Sequence, residues 1–302
     1  MTKVTARVLL PEYNPFVLFF LFEITKSELH SAFVTRYATI MAFGYLIHGI
    51  LGRPYRLHVN HSGKKNGKVI VLLHGIAASS ADWRNILPLL ETNYHCITVD
   101  LLGFGNSPKP QWSNYTMDDH MRAIYRTLNK LRLGRDYVLI GHSLGSLLAV
   151  RYAIEHESNI SRLFLLSPPV YPPLDSIDKR GVRRLTGILL NMYRLLRTNP
   201  RITPETFKSL TYVAPLPRSV VKKPDTWVPF MRTLKECIEQ QTILEDITRL
   251  QLPTDVFYGT LDQVVLSANV KLLKRDNVTL HEFLGTHDLT KRYGKLIAEQ
   301  LA

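Results

Sequence analysis

The sequence predicts an α/β protein: a mostly parallel central sheet with helices on both faces. Three observations predict it. From about residue 53, short apolar runs alternate with helix-forming runs of ten or more residues. Strands separated in that way pair in parallel, and their crossover helices cover the sheet. Within the alternation, Gly141-His142-Ser143-Leu144-Gly145 stands between a β-prone run and a helix-prone run, the pattern of a sharp strand-to-helix turn. A proline-punctuated helical stretch over residues 168–250 then interrupts the alternation.

Residues 1–52 are expected to form an N-terminal helical extension of two segments. Lys3 and Arg7 precede the apolar run Phe16–Phe22, but Glu23 and Lys26 stand where a signal-peptide cleavage site needs small residues. Seven residues are too few to span a bilayer, and the second apolar stretch, Ala38–Leu51, is also too short. The two segments pack on the core or lie on a membrane surface.

The expected core covers residues 53–167 and 251–302. Tyr55–Asn60 reads as a strand, and the turn-rich His61–Gly67 suggests a hairpin connection to a second strand, Lys68–Leu73. Asp82–Leu90 reads as a short helix, Cys96–Asp100 as a third strand and Thr116–Leu131 as a helix. Tyr137–Ile140 is a short apolar strand of the kind buried on both faces. Leu144–Glu155 follows as a helix without proline, and Ile160–Leu166 as a strand. Four prolines within 168–173 then stop any helix or central strand. Alternation resumes with the strand Pro253–Tyr258, a helix near Leu266–Leu273, the strand Val278–Phe283 and a last helix from Asp288.

The composition, 45% hydrophobic and 21% charged, is that of a folded chain rather than a disordered one. Cys96 and Cys237 alone imply neither a disulfide framework nor a multi-cysteine metal site. A reducing, cytoplasmic setting fits, peripheral membrane association being compatible with it. No cofactor or metal is expected. The formal net charge of +13 is concentrated in two segments. Residues 1–68 carry nine Lys/Arg against three acids, and residues 171–250 carry fourteen against eight. A solvated basic surface is the plain explanation, and attraction to an anionic membrane the sharper one. No recognition motif accompanies the charge, so nucleic acid is not an expected partner. Oligomeric state is left open.

Ser143 is the expected nucleophile. At such a turn the serine is held in strained dihedrals with its hydroxyl clear of the sheet, and glycine is needed two positions either side. A serine nucleophile needs a base, a group to orient that base, and oxyanion donors. His287, within Gly285-Thr286-His287-Asp288, follows a strand and so lies at the sheet edge where ligands bind. It is the expected base. His281 lies within the strand and points into packing, and the turn aims His142 elsewhere. Asp262, directly after a strand, is the expected orienting acid, with a helix-capping turn as its plain alternative. Asp100 reads as a structural turn acid and Asp288 as a cap. The expected oxyanion donors are the backbone N–H groups of Ile76 and Leu144. Gly75 lets the loop bend toward the site.

At this point the chain resembles the α/β-hydrolase fold family with an inserted helical cap, from about residue 53 to the end. The resemblance rests on His74-Gly75, the stretch DLLGFGNS at 100–107, GHSLG at 141–145, YGTLD at 258–262, GTHDLT at 285–290, and the chain order Ser143, Asp262, His287. It departs from many members at Ser146, where a second glycine is common, and its 74–77 loop is not the HGGG form. Residues 1–50 have no counterpart. The resemblance implies a serine hydrolase acting on a small-molecule ester with an apolar acyl or alcohol part. Carbon–carbon bond hydrolysis of a vinylogous diketone, acyl transfer, and a non-catalytic ligand receptor on the same scaffold are the other readings. A serine at 143 disfavours the epoxide hydrolases and haloalkane dehalogenases, whose nucleophile is an aspartate.

Overall fold

A computed structural model describes residues 39, 42–211 and 224–302. The chain divides into two compact units, residues 1–53 and 54–302. In the first, residues 42–44 are helical and lead into a π-helix, Tyr45–Ile50. His48 Nδ1 meets the Arg53 carbonyl at 2.6 Å. The expected Phe16–Phe22 segment lies outside the described residues.

The second unit is built on a seven-stranded sheet. Its strands are β1 (Val59–Gly63), β2 (Lys68–Leu73), β3 (Tyr94–Val99), β4 (Tyr137–His142), β5 (Ile160–Leu166), β6 (Thr254–Gly259) and β7 (Val278–Phe283). Their order is β1-β3-β2-β4-β5-β6-β7, antiparallel at β1–β3 and parallel elsewhere. The expected hairpin between the first two strands is therefore not formed. β3 lies between them, pairing Val59 with Val99 on one side and Lys68 with Tyr94 on the other. The turn at residues 64–67 only redirects the chain.

Among the described residues, the α-helices of this unit are α1 (Leu87–Leu90), α2 (Met117–Leu131), α3 (Leu144–His156), α4 (Arg180–Thr198), α5 (Pro204–Leu210), α6 (Trp227–Thr233), α7 (Ile243–Asp246), α8 (Ser267–Val270) and α9 (Lys291–Leu301). α2 starts where a capping box forms. The Thr116 hydroxyl accepts from the Asp119 N–H, and the Asp119 carboxylate accepts from the Thr116 N–H. Helices α4 to α6 lie in the segment between β5 and β6, and a π-helix, Leu234–Glu239, continues α6.

The alternation of side chains along the strands builds two cores. Val71, Leu73, Leu139, Leu163 and Leu165 face one side, against α2 and α3. Ile70, Leu72, Val138, Ile140, Phe164 and Leu166 face the other, against Trp83, Ile86, Tyr293 and Ile297. Burial on both faces explains why β4 reads as a continuous apolar run. Among the described residues no helix is long and apolar enough to cross a membrane.

Candidate active site

The turn between β4 and α3 holds Ser143 at φ 52°, ψ −119°, a conformation that L side chains rarely adopt. The sequence around it explains how this is held. A Cβ on Gly141 would stand 2.2 Å from the Gly145 carbonyl oxygen, and one on Gly145 would stand 2.2 Å from that of Leu73. Strand and helix can approach this closely only through glycine. The Ser143 N–H donates to the Leu166 carbonyl at 2.9 Å. Ser146, which replaces the commoner glycine, is fully buried and donates its hydroxyl to the Gly141 carbonyl at 2.8 Å. Leu144 opens α3.

Beyond β6, the Oδ1 atom of Asp262 accepts from the Val264 and Val265 N–H groups, both at 2.8 Å. Its Oδ2 atom meets His287 Nδ1, also at 2.8 Å. The carboxylate thus closes its own turn and holds the imidazole at once. Burial raises its pKa, but the His287 ring and the Val265 N–H outweigh burial and hold it below the ordinary value. A carboxylate partner leaves the proton on Nδ1 and the lone pair on Nε2 of His287.

A cavity of about 720 Å³ is lined by Ser143, His142 and His287, with Ile76, Pro169, Tyr171, Leu234, Ile238 and Val264 among its apolar wall. The expected nucleophile, base and one expected oxyanion residue therefore share one cavity. Leu144 has its side chain fully buried in the core beside them. His74 braces the loop that carries Ile76. Its Nδ1 meets the Gly75 carbonyl at 2.7 Å, and its Nε2 accepts from the Leu101 N–H at 2.9 Å. Tyr193 of α4 packs on Tyr171 with hydroxyls 3.1 Å apart, and Tyr171 donates to the Val264 carbonyl. The segment between β5 and β6 is thereby tied to the Asp262 turn.

The rival residues sort by contact. Asp100 accepts from the Ser80 and Asn106 N–H groups and from the Ser80 hydroxyl, so it is a turn acid as expected. His281 pairs with Asp255 at 2.7 Å and stacks on Phe257. Asp288 does not cap α9, whose N-cap is Thr290. His142 departs from expectation. It does not point away but lines the cavity, with its ring centroid 5.0 Å from that of His287. Its Nε2 donates to the His287 carbonyl at 2.9 Å, and its Nδ1 is buried without a partner. Ser167, at φ 43° past the end of β5, also escapes a motif reading. Its hydroxyl meets that of Tyr293 at 2.7 Å, and the seryl side chain helps hold Asp262 ionised. Among the described residues no group of His, Cys, Asp or Glu is arranged to hold a metal ion.

Burial pushes the pKa of His142 down to about 3 and that of His120 down to about 4. Both imidazoles are neutral in the fold, whereas the unfolded chain takes up their protons near pH 6.5. Their contribution to stability is complete above about pH 6.5 and is lost as pH falls through that value toward about 3. Melting temperature is expected to fall across this window, and to fall less steeply in His120→Gln. A flat acid profile would contradict two neutral buried rings.

Residues 68–286 match the family model described as alpha/beta hydrolase fold. The "Probable lysophospholipase BODYGUARD 2" of Arabidopsis thaliana is 40% identical over 114 residues, which are 36% of this chain and 24% of that protein. The "Coelenterazine h 2-monooxygenase" of Renilla reniformis is 34% identical over 102 residues, 34% of this chain and 33% of that one. The chain thus aligns with only a quarter to a third of the length of these relatives. Among solved structures, the enol-lactonase from Burkholderia xenovorans LB400 superposes with a TM-score of 0.60 at 18% identity, over 81% of this chain and 94% of that one. The thioesterase domain from the curacin biosynthetic pathway superposes with a TM-score of 0.59 at 20% identity, over 81% and 94%. At such identities the likeness shows a shared fold. With the family model covering most of the chain and the sheet order and strand-to-helix turn described above, the protein belongs to the α/β-hydrolase fold family.

Proposed function

We propose that the protein is a serine hydrolase that cleaves an ester through an acyl-enzyme intermediate. The observation that carries this reading is the 2.8 Å contact of His287 Nδ1 with Asp262 beside a cavity that Ser143 also lines. In the proposed cycle, His287 Nε2 takes the hydroxyl proton of Ser143 as Oγ attacks the ester carbonyl carbon. Asp262 stabilises the imidazolium that forms. The N–H groups of Ile76 and Leu144 hold the tetrahedral oxyanion. The Leu144 N–H suits this role because a first-turn N–H has no partner within its helix and the helix dipole favours negative charge there. The imidazolium then protonates the departing alcohol. Water attacks the acyl-enzyme with His287 again as base, releasing the acid and restoring Ser143.

The apolar wall supports a substrate with an apolar acyl or alcohol part. Pro169, Tyr171, Tyr193, Leu234 and Ile238 of that wall come from the segment 168–250, which acts as the cap in this reading. The name of one relative, a probable lysophospholipase 40% identical over its aligned residues, supports a hydrolytic reading. Labelling by a fluorophosphonate probe tests it, since only an activated serine reacts. A folded chain that resists the probe would leave a non-catalytic ligand receptor. Asp262→Asn is expected to lower kcat by about 10⁴-fold, because the amide favours the wrong tautomer of His287. A loss below about tenfold on a panel of activated esters would remove Asp262 from this role.

A further inference from the structure

We propose that the outward face of α4 docks this protein on an anionic bilayer surface, with Leu185, Ile188 and Leu195 entering the headgroup boundary and Arg180, Arg184 and Arg194 meeting the lipid charge. The helix runs for 19 residues, Arg180–Thr198. Thr186, Tyr193 and Leu196 are buried on its inner face. On the outer face Leu185, Ile188 and Leu195 are 52%, 54% and 52% exposed. Their helical spacing forms one stripe, which half-buried Met192 fills. Leu174, 40% exposed, lies beside Gly187 and adds another aliphatic side chain outward.

The charge on this helix has one sign. No acid occurs between Lys179 and Arg201, and Asp175 and Asp178 precede the helix. Arg197 pairs with Glu239, and Arg183 donates to the Ile177 carbonyl. Arg180, Arg184 and Arg194 are exposed and have no ion-pair partner among the described residues. Helical spacing sets Arg184 beside Leu195 at the edge of the aliphatic stripe, Arg180 a step further round the exposed face, and Arg194 on its far flank. Asn191 and Thr198 are exposed among these cations, as on a solvated face, but a merely solvated face would not add a stripe of exposed large aliphatics. Here large aliphatics stand in water beside unpaired arginines, which is the composition that favours the interface of an anionic membrane. Tyr193 of the same helix lines the cavity, so docking would bring the cavity wall to the lipid. The proposal concerns binding alone and does not depend on Ser143.

Co-sedimentation of the full chain with vesicles of equimolar phosphatidylserine and phosphatidylcholine tests it. Binding is expected, weakening as salt is raised. Leu185→Gln with Ile188→Gln and Leu195→Gln should cut partition by about tenfold or more. Arg180→Gln with Arg184→Gln and Arg194→Gln should cut it by about a hundredfold, at about five-fold per cation near the surface. A second measurement needs only one mild change. Cys96 and Cys237 are buried, so Leu185→Cys can carry an environment-sensitive fluorophore. Its emission should shift to the blue on these vesicles, and that of Leu89→Cys, at an exposed site on α1, whose Leu90 packs in the core on the other sheet face from Tyr193 of α4, should not. Unchanged partition in the aliphatic variant would overturn the proposal, as would a silent probe at position 185. So would a dimer that the aliphatic variant dissociates in the absence of lipid.

Discussion

Ser143→Ala is expected to reduce turnover of an activated ester by roughly 10⁶-fold and to abolish fluorophosphonate labelling. The size of the effect follows from the proposed role. Without Oγ no acyl-enzyme forms, and His287 and the oxyanion donors have no bound nucleophile to serve. The fold should persist, because the Ser143 N–H still reaches the Leu166 carbonyl. Ser143→Gly separates chemistry from strain. At φ 52°, ψ −119° a side chain costs on the order of 1–3 kcal/mol. Glycine removes that strain and returns part of the gain as extra entropy of the unfolded chain. The glycine variant should therefore be inactive yet more stable by about 1 kcal/mol in urea unfolding. Turnover retained by the alanine variant would move the nucleophile to another residue and end the proposed mechanism.

Gly145→Ala is expected to have the largest effect on stability, at about 3 kcal/mol or more. Its new methyl would stand 2.2 Å from the Leu73 carbonyl oxygen and 2.7 Å from that of His74. Both are backbone atoms at the end of a central strand, so neither can swing aside as a side chain would. Relief would require α3 to move off β2, opening the core formed by Leu147, Leu148 and Val150. Gly187→Ala is the contrasting case. It lies within α4, and its methyl would meet Leu174 Cδ1 at an ordinary 3.6 Å. Helix propensity then favours alanine by about 1 kcal/mol. Urea midpoints of the two variants should move in opposite directions. If Gly145→Ala unfolds like the parent, the tight approach of strand to helix is wrong.

Most strands were legible because burial on both faces leaves a continuous apolar run with clear ends. Lys68–Leu73 and Ile160–Leu166 stand where the composition puts them, and the edge strand Val278–Phe283, with Thr279 and Glu282 exposed, also stands where expected between its apolar ends. The first strand was less legible. Tyr55–Asn60 reads as β-prone, yet pairing begins at Val59 and runs to Gly63. The polar turn beside it suggests a hairpin because turn chemistry is local, whereas the insertion of β3 is decided by pairing between strands distant in the sequence. His142 was misread for a related reason. Residue spacing says which way a turn sends its own serine. It does not say that a loop 145 residues later will offer its carbonyl to the neighbouring imidazole.

The sequence by itself determined the local and ordered features: the alternation of strands and helices, the glycine-bounded turn at Ser143, and the succession of Ser143, Asp262 and His287. These are legible because dihedral limits, side-chain size and periodicity act over a few residues. Only the tertiary structure decided that Asp262 rather than Asp100 meets His287, that His142 faces the same cavity, and that α4 turns aliphatic side chains outward. Those outcomes depend on which distant elements pack together. Hydrogen bonds and burial then assign each side chain its partner, and no spacing along the chain encodes that choice.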